Sequence, residues 1–311
     1  VFTPVEVVDF IIHSVDWALN KYFGKSLASK NVHILDPFTG TGTFITRTLY
    51  YLKQQMDEGK ITYDDILRKY MHELHANEIV LLSYYIAAIN IEAVFDEING
   101  PDHGYKPFEG IVLTDTFEST ERQNTLDDDM FGENDKRLKK QQEVPITAII
   151  SNPPYSVGQK NANDDNQNVH YLKLEEQIEK SYVKQSHSKL SMSVYDSYIK
   201  AFRWASDRIK NKGIIGFITN NSFLDSNSTD GFRASLYQEF NYLYVFNLRG
   251  AIRGKVGIGA KKEGQNIFDI LTGVSISILV KDGSDKHEIF YHDIGDYISK
   301  KNKLDIIKNL F

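Results

Sequence analysis

The chain reads as an α/β protein built on a doubly wound, mostly parallel sheet, with an antiparallel strand near the C-terminus. Three observations predict this. Short apolar runs alternate with longer amphipathic stretches, the order expected of βαβ units. A glycine-rich turn, Asp36-Pro37-Phe38-Thr39-Gly40-Thr41-Gly42-Thr43-Phe44, stands directly between the first apolar run and the next helical stretch. Finally, Asn266–Val280 follows a strand with no crossover helix between them, so the last strand is free to turn back antiparallel.

The elements follow in order. Val5–Asn20 carries Val5, Val8, Phe10, Ile11, Ile12, Val15 and Leu19 at helical spacing. Val32–Leu35 is a short buried strand, ended by Asp36-Pro37, and Thr43–Met56 reads as a helix. Asp64–Tyr70 is an extra short helix, and Met71–Ala76 the second strand. Ile79–Phe95 is apolar and long enough for a buried helix. Gly110–Leu113 and Ile146–Ser151 are further strands. Tyr195–Lys210 is a helix with Tyr198, Phe202, Ala205 and Ile209 on one face. Gly213–Thr219 is a strand, Phe232–Phe240 a helix, and Tyr242–Asn247 and Val274–Val280 are strands. Trp17 and Trp204 read as core.

Two segments break the alternation and read as inserted loops. Residues 118–143 hold Asp127-Asp128-Asp129 and then Lys136, Arg137, Lys139 and Lys140, a pattern of solvated loop. Residues 156–193 hold Asn161, Asn163, Asp164, Asp165, Asn166, Gln167 and Asn168. Because the second loop starts at the strongest motif in the chain, it reads as a lid or binding loop.

Composition bounds the function. At about 150 residues per domain, 311 residues make one large or two small domains. Hydrophobic residues are 41%, enough for a sizeable core. There is no cysteine, which removes disulfides, thiolate metal sites and every cysteine nucleophile, including covalent attack on a pyrimidine ring. A net charge of −6 rules out a strongly basic nucleic-acid binder but not a local basic patch. No apolar run approaches the ~20 residues of a membrane span. Val1–Val15 lacks the basic start and cleavage site of a signal peptide. With no initiating Met, the chain reads as a segment of something longer.

In the glycine turn, Gly40 and Gly42 let the backbone bend sharply and approach a ligand, and the following helix offers free N–H groups to an anion. It is not a phosphate-binding Walker loop, because no Lys-Ser/Thr follows Gly42, and Ile45 stands where a full dinucleotide fingerprint has its third glycine. Glu78, just past the second strand, fits an acid that accepts from ribose hydroxyls, although its distance from the turn fits a helix-start acid equally well. Asp115, past the third strand, fits an acceptor for an adenine amine or a plain turn aspartate.

Ser151-Asn152-Pro153-Pro154-Tyr155 at the end of Ile146–Ile150 decides the reading. An exocyclic aromatic amine is a poor nucleophile, because its lone pair is delocalised into the ring. Two acceptors on its protons favour a more tetrahedral nitrogen and aim the lone pair. The Asn152 side-chain carbonyl and the Pro153 backbone carbonyl are those acceptors, and proline fixes the carbonyl direction. Tyr155 supplies a flat face for an unstacked base. When the methyl carbon carries its own leaving group, the transfer needs neither a metal nor a strong base.

These motifs, in this order, resemble the S-adenosylmethionine-dependent DNA adenine-N6 methyltransferases of the gamma arrangement. The likeness is greatest to the methyltransferase part of single-polypeptide restriction–modification enzymes. Phe2-Thr3-Pro4-Val5-Glu6 matches the family's N-terminal opening, Gly213–Thr219 its strand after the next helix, and Asn266-Ile267-Phe268 its late region. The resemblance implies a Rossmann-like methyltransferase fold over 1–311 as one catalytic domain, with a helical entry over 1–30. It implies S-adenosylmethionine as cofactor, held by Thr3, Asp36, Pro37, Phe38, Gly40, Gly42, Phe44, Glu78, Asp115 and Asn152. It implies a flipped adenine of double-stranded DNA as substrate, sandwiched by Tyr155 and Phe268, with Asn152, Pro153 and Tyr155 as the catalytic set. A target-recognition domain does not follow Phe311, so nuclease, translocase and target-recognition domains are expected elsewhere in the same polypeptide, in a bacterial cytoplasm. Protein-glutamine or RNA methylation, and a non-catalytic DNA-binding module on the same fold, are the rival readings. Arg249, Arg253, Lys255, Lys261 and Lys262 form a glycine-interleaved basic stretch that suits DNA phosphate contact or a solvated loop equally. The histidines show no ligand spacing, and His72 and His75 in one strand would face opposite ways, so no metal is expected.

Overall fold

The computed structural model describes residues 2–121, 132–155, 169–189 and 192–311. The first half runs α1 (Val5–Phe23), β1 (His33–Asp36), α2 (Thr43–Asp57), α3 (Tyr63–Arg68), β2 (Leu74–Glu78), α4 (Leu81–Asn99), β3 (Ile111–Leu113), α5 (Gly132–Glu143) and β4 (Ile146–Ser151). The second half runs α6 (Leu172–Ile178), α7 (Ser197–Arg208), β5 (Gly213–Asn220), α8 (Asp230–Glu239), β6 (Tyr242–Arg249), α9 (Ile258–Lys262), β7 (Val274–Lys281), β8 (Glu288–Asp293) and α10 (Lys300–Lys308).

Eight strands form one sheet in the order β3-β2-β1-β4-β5-β7-β6-β8. All pairings are parallel except those of β7, which runs against both β5 and β6. The doubly wound sheet and its antiparallel C-terminal strand are therefore as expected. The chain winds outward one way from β1 to β3, then returns to place β4 on the other side of β1. That reversal makes the β1/β4 carboxyl ends the natural crevice of the fold.

Strand alternation divides the core into two. Ile34, Ala148, Ile150, Ile214 and Ile218 face one layer, with Val8, Ile11, Val15, Leu49 and Phe95. Leu35, Ile149, Ile215 and Phe217 face the other, with Phe202, Phe232 and Phe240. Burial on both faces is why β5 reads as a continuous apolar run, all eight of its residues being buried. At Gly216 a Cβ would stand 2.8 Å from Val15 and 2.9 Å from Ile11, so α1 lies directly on β5 because that strand is bare there. Tyr198, Phe202, Ala205 and Ile209 all face inward on the α7 side.

Several expectations need correction. The second strand starts later than Met71, since Lys69–Glu73 form a π-helical turn ahead of β2. Within that turn the buried Lys69 ammonium donates to Ser29 O and Val32 O, both at 2.6 Å, and to Glu73. His72 thus lies on that turn, while His75 on β2 meets His33, Nε2 to Nδ1, at 2.9 Å. The helix expected to be buried over Ile79–Phe95 is not. α4 buries Ala87, Ile91, Val94 and Phe95, whereas Ile79, Val80, Leu81, Tyr85 and Ile89 are exposed and Leu82 is 70% exposed. Apolar length alone does not say how many sides of a helix are covered. Trp204 is core, but Trp17 is 42% exposed, edge-on to Tyr22 and Tyr244.

Both insertions contain structure. α5 braces the sheet edge: the Asn134 amide bonds Leu113 N and O, both at 2.8 Å, as a neighbouring strand would. Gln141 donates to Asn77 Oδ1 at 2.8 Å. In the second insertion α6 buries Leu174 and Ile178, with Tyr171 and Tyr182 flanking it in the core. Asp127-Asp128-Asp129 and the run from Asn161 to Asn168 lie outside the described residues. β8 and α10 had no counterpart in the sequence reading. No helix among the described residues is long and apolar enough to cross a membrane.

Candidate active site

Asp36 ends β1 and Ser151 ends β4. Their side chains meet, the Ser151 hydroxyl donating to Asp36 Oδ1 at 2.6 Å. Phe38 N donates to the same oxygen at 3.1 Å. Asp36 is fully buried, and its Oδ2 has no partner among the described residues. Burial pushes this carboxyl up to about 7, with the nearby Glu78 charge pushing the same way.

The glycine turn is pinned by its neighbours. Thr39 N donates to Asn77 O at 2.9 Å. Thr116 Oγ1 donates to the carbonyl of the buried Pro37 at 2.5 Å. Gly40 N donates to Glu78 Oε2 at 2.6 Å, and Val80 N to Oε1 at 3.0 Å. Gly42 has φ 91°, a left-handed conformation that favours glycine, and α2 begins at the next residue with no side-chain cap. Its first amides are therefore available to a bound acidic or hydroxyl-bearing group. Glu78 thus stands against the turn and also meets the start of the segment leading into α4.

Asp115 is half-buried and already partnered. Its Oδ1 accepts from Phe117 N at 3.0 Å and its Oδ2 from the Tyr171 hydroxyl at 2.5 Å. Tyr171 comes from the second insertion, and no sequence signal pointed to it. Phe38 and Tyr171 both contact Phe117, each with ring centroids 5.4 Å apart, so an aromatic cluster joins the turn to the second insertion. The Phe44 ring, expected at the cofactor, is instead packed in the core on the α2 side, leaving only its backbone toward the turn.

The Asn-Pro-Pro-Tyr segment leaves β4 beside this turn. Asn152 Nδ2 donates to Thr3 Oγ1 at 2.9 Å, whereas Asn152 Oδ1 is buried with no partner among the described residues. Pro153 is buried and Pro154 exposed. The Tyr155 hydroxyl donates to Ile218 O at 3.3 Å, and burial pushes that phenol up. The Tyr155 ring meets Phe268 edge-on, with centroids 6.2 Å apart and planes at 66°. The expected pair is brought together, but the rings are not parallel.

Phe268 is held by a residue whose role the sequence did not reveal. Asn266 Oδ1 accepts from Phe268 N at 2.8 Å, and Nδ2 donates to Thr272 O at 2.7 Å and Gly250 O at 3.3 Å. A Cβ on Gly250 would stand 2.8 Å from Asn266 Cα, so that close approach needs a glycine.

The basic stretch does not stand as one free cluster. Arg249 forms ion pairs with Asp293, at 2.8 Å, and Asp296, and Lys255 pairs with Glu263. Those acids come from β8, from the turn after it and from the end of α9, places the linear reading did not connect. Arg253, Lys261 and Lys262 are exposed. Among the described residues no group of three or more His, Asp or Glu is placed to hold a metal ion. A cleft of about 770 Å³ lined by Thr120, Lys173, Trp204 and Arg208 contains none of these site residues.

Residues 44–251 match the family described as Eco57I restriction-modification methylase. Among solved structures, the chain is 66% identical to a nuclease-deletion mutant of the Type ISP restriction-modification enzyme LlaGI in complex with a DNA substrate mimic, with a TM-score of 0.96 over 99% of this chain and 25% of that one. It is 62% identical to the ATP-dependent Type ISP enzyme LlaBIII bound to DNA, with a TM-score of 0.96 over 99% of this chain and 20% of that one. It is 38% identical to DrdV in a DrdV–DNA complex, with a TM-score of 0.88 over 99% of this chain and 29% of that one. The chain thus spans less than a third of each of these relatives. No curated protein matches it.

Proposed function

The chain belongs to the Eco57I restriction-modification methylase family, and from that premise we propose that residues 1–311 are the catalytic unit of a DNA adenine-N6 methyltransferase, the modification part of a restriction–modification enzyme. The observation that carries this reading is a pair of buried acceptors without partners, Asp36 Oδ2 and Asn152 Oδ1, at the two strand ends that Ser151 joins. Burying an acceptor without a partner costs free energy, so such atoms fit a site completed by ligands.

S-adenosylmethionine supplies a methyl carbon on a sulfonium, which leaves as a neutral thioether. The residues present fit it. Asp36 Oδ2 offers an acceptor for its ammonium, and the open backbone at Gly40 and Gly42, beside Pro37 and Phe38, lets its methionine end lie close. Glu78 and Asp115 would accept from its ribose hydroxyls and adenine amine, each keeping spare acceptor capacity on its oxygens. Asn152 Oδ1 and the Pro153 carbonyl accept the two protons of the adenine amine. With both protons held by Asn152 and Pro153, the amine lone pair would be turned out of the ring toward the methyl group that the bound cofactor would supply, and the surplus proton would pass to solvent.

Reaching that amine requires a base taken out of the stack. Two rings sandwiching a base need about 7 Å between parallel planes, twice the contact distance of carbon atoms. Tyr155 and Phe268 are 6.2 Å apart and tilted, so a base held between both faces would need the rings to reorient. Exposed Arg253, Lys261 and Lys262 are left to approach phosphates. We assign nuclease, translocase and target-recognition functions to other domains of the same polypeptide, acting on DNA in the bacterial cytoplasm.

Radiolabel transfer by the full-length polypeptide decides the reading. Label at adenine in duplex DNA is expected, and label in protein or RNA instead would overturn it. Asn152→Ala should abolish transfer while cofactor affinity by calorimetry changes less than about threefold. Equal loss of both would remove Asn152 from the catalytic set.

A further inference from the structure

We propose that Thr3 is a positioning residue that sets which end of the Asn152 amide faces the substrate amine. The inference rests on the methyltransferase reading and deepens it. A primary amide has two ends of nearly the same shape. Turned one way, Asn152 offers its oxygen to the protons of the target nitrogen. Turned the other way, it offers an NH2 group, a donor facing donors, and the lone pair is no longer drawn out of the ring. The Pro-Pro corner fixes the backbone but leaves this last torsion free, because the terminal torsion of asparagine is broad and roughly two-fold.

Something else must choose, and Thr3 is placed to do so. Its hydroxyl oxygen lies 2.9 Å from Asn152 Nδ2, and both side chains are held at the α1 entrance. Thr3 is buried, so water is a poor substitute partner there. The opposite end, Oδ1, is buried without a partner among the described residues, which leaves it free to accept from the amine. The Thr3 proton goes to no acceptor among the described residues. A carboxylate in the neighbouring cofactor space would take that proton, after which the Thr3 oxygen can only accept. The amide is then locked with its oxygen outward. By this route an occupied cofactor site prepares the amine acceptor before the base arrives. Thr3 was expected simply to hold the cofactor; here its distinct task is to orient Asn152.

Three variants of the full-length polypeptide test this by single-turnover methyl transfer to unmodified genomic DNA, alongside cofactor Kd by calorimetry. Thr3→Val keeps the shape and loses the hydroxyl. At saturating cofactor its transfer rate is expected to fall about tenfold, the bias one ordinary hydrogen bond gives an equilibrium, while Kd rises about tenfold through the lost bond to the cofactor carboxylate. Thr3→Ser should restore the rate, which a purely structural role would not require. Thr3→Cys, a poorer acceptor of similar size, should fall between and serves if the valine variant does not fold. A raised Kd with an unchanged rate at saturating cofactor leaves Thr3 a cofactor contact alone and overturns the inference, as does an unchanged rate in every variant. Asn152→Ala separates the two levels. If it still methylates, the methyltransferase assignment of this site fails. If it is dead while Thr3→Val is fully active, only the role given to Thr3 fails.

Discussion

The Ser151 hydroxyl and the Asp36 carboxylate join the ends of two neighbouring parallel strands at 2.6 Å, in the crevice where the winding of the sheet reverses. One end carries the glycine turn and the other the Asn-Pro-Pro-Tyr segment. A single buried hydrogen bond therefore ties the proposed methyl-donor side of the site to the proposed acceptor side.

Ser151→Ala removes that tie. Asp36 Oδ1 then keeps only the Phe38 amide, and its charged form loses a donor inside the protein. Stability should fall by about 1–3 kcal/mol, the usual cost of stranding one side of a buried hydrogen bond. Cofactor binding should weaken as well, because the Asp36 carboxyl titrates higher still. Chemical denaturation and calorimetry on the same variant measure both. Unchanged stability would mean that the bond contributes nothing.

Asp36 should also make cofactor binding depend on pH. Burial holds its carboxyl at about 7 in the free protein, so it is mostly neutral below that pH. The ammonium of the cofactor favours the charged form and lowers this pKa in the complex. Affinity should therefore be weakest in acid and rise toward about pH 7, by at most about tenfold per pH unit, with a proton released on binding at the lower end. Asp36→Asn should bind more weakly and with a flat profile. A pH-independent Kd in the unmodified protein would contradict the pairing of Asp36 with the ammonium.

Asn266 predicts a different phenotype. Its amide holds Phe268 N, Thr272 O and Gly250 O, so Asn266→Ala frees the loop that aims Phe268 at Tyr155. Cofactor affinity should stay near normal. The rise in fluorescence when 2-aminopurine replaces the target adenine should shrink, and methyl transfer should drop about tenfold or more, a loss on the scale of one stacking contact. Normal 2-aminopurine fluorescence in this variant would detach Asn266, and with it the loop, from base capture.

Most of the sheet was legible because buried parallel strands leave uninterrupted apolar runs, such as Ile146–Ser151 and Gly213–Asn220, each closed by a distinctive turn. The exposed edge strand β8 has only the short run Ile289-Phe290-Tyr291, bounded by Glu288, His292 and Asp293, and it escaped notice. Local motifs were equally legible. The glycine turn and the Asn-Pro-Pro-Tyr segment carry their chemistry within a few consecutive residues. Partners from distant sequence were not: Tyr171 on Asp115, Asp293 on Arg249 and Asn266 on Gly250 are 56, 44 and 16 residues apart and meet only after folding. The basic stretch shows the same limit, because a charge run read along the chain cannot reveal the acids that later neutralise it. α4 shows it for apolar residues, where length predicted burial and packing covers only one side.

α10, unseen in the sequence, supports the loop that carries Phe268 through one lysine. Lys303 is fully buried, and its ammonium donates to Leu248 O at 2.7 Å and Glu263 O at 2.9 Å, the two flanks of the segment that leads to Phe268. Burial pulls its pKa down to about 8 from an ordinary 10.5. Between those values the unfolded chain binds more protons than the folded one. The contribution of Lys303 to stability therefore rises with pH from about 8 to about 10, and falls as pH drops through 8. The neutral amine still carries two N–H donors, enough for both carbonyls. Lys303→Met strands both acceptors and should cost about 2 kcal/mol or more, with the gap to the unmodified protein widening as the solution is made alkaline. Because the loss is local to the loop, methyl transfer should fall further than cofactor affinity. Denaturation curves at about pH 8 and about pH 9.5 check the first point, and a gap that narrows with pH would show that Lys303 is not held in the charged, desolvated state inferred here.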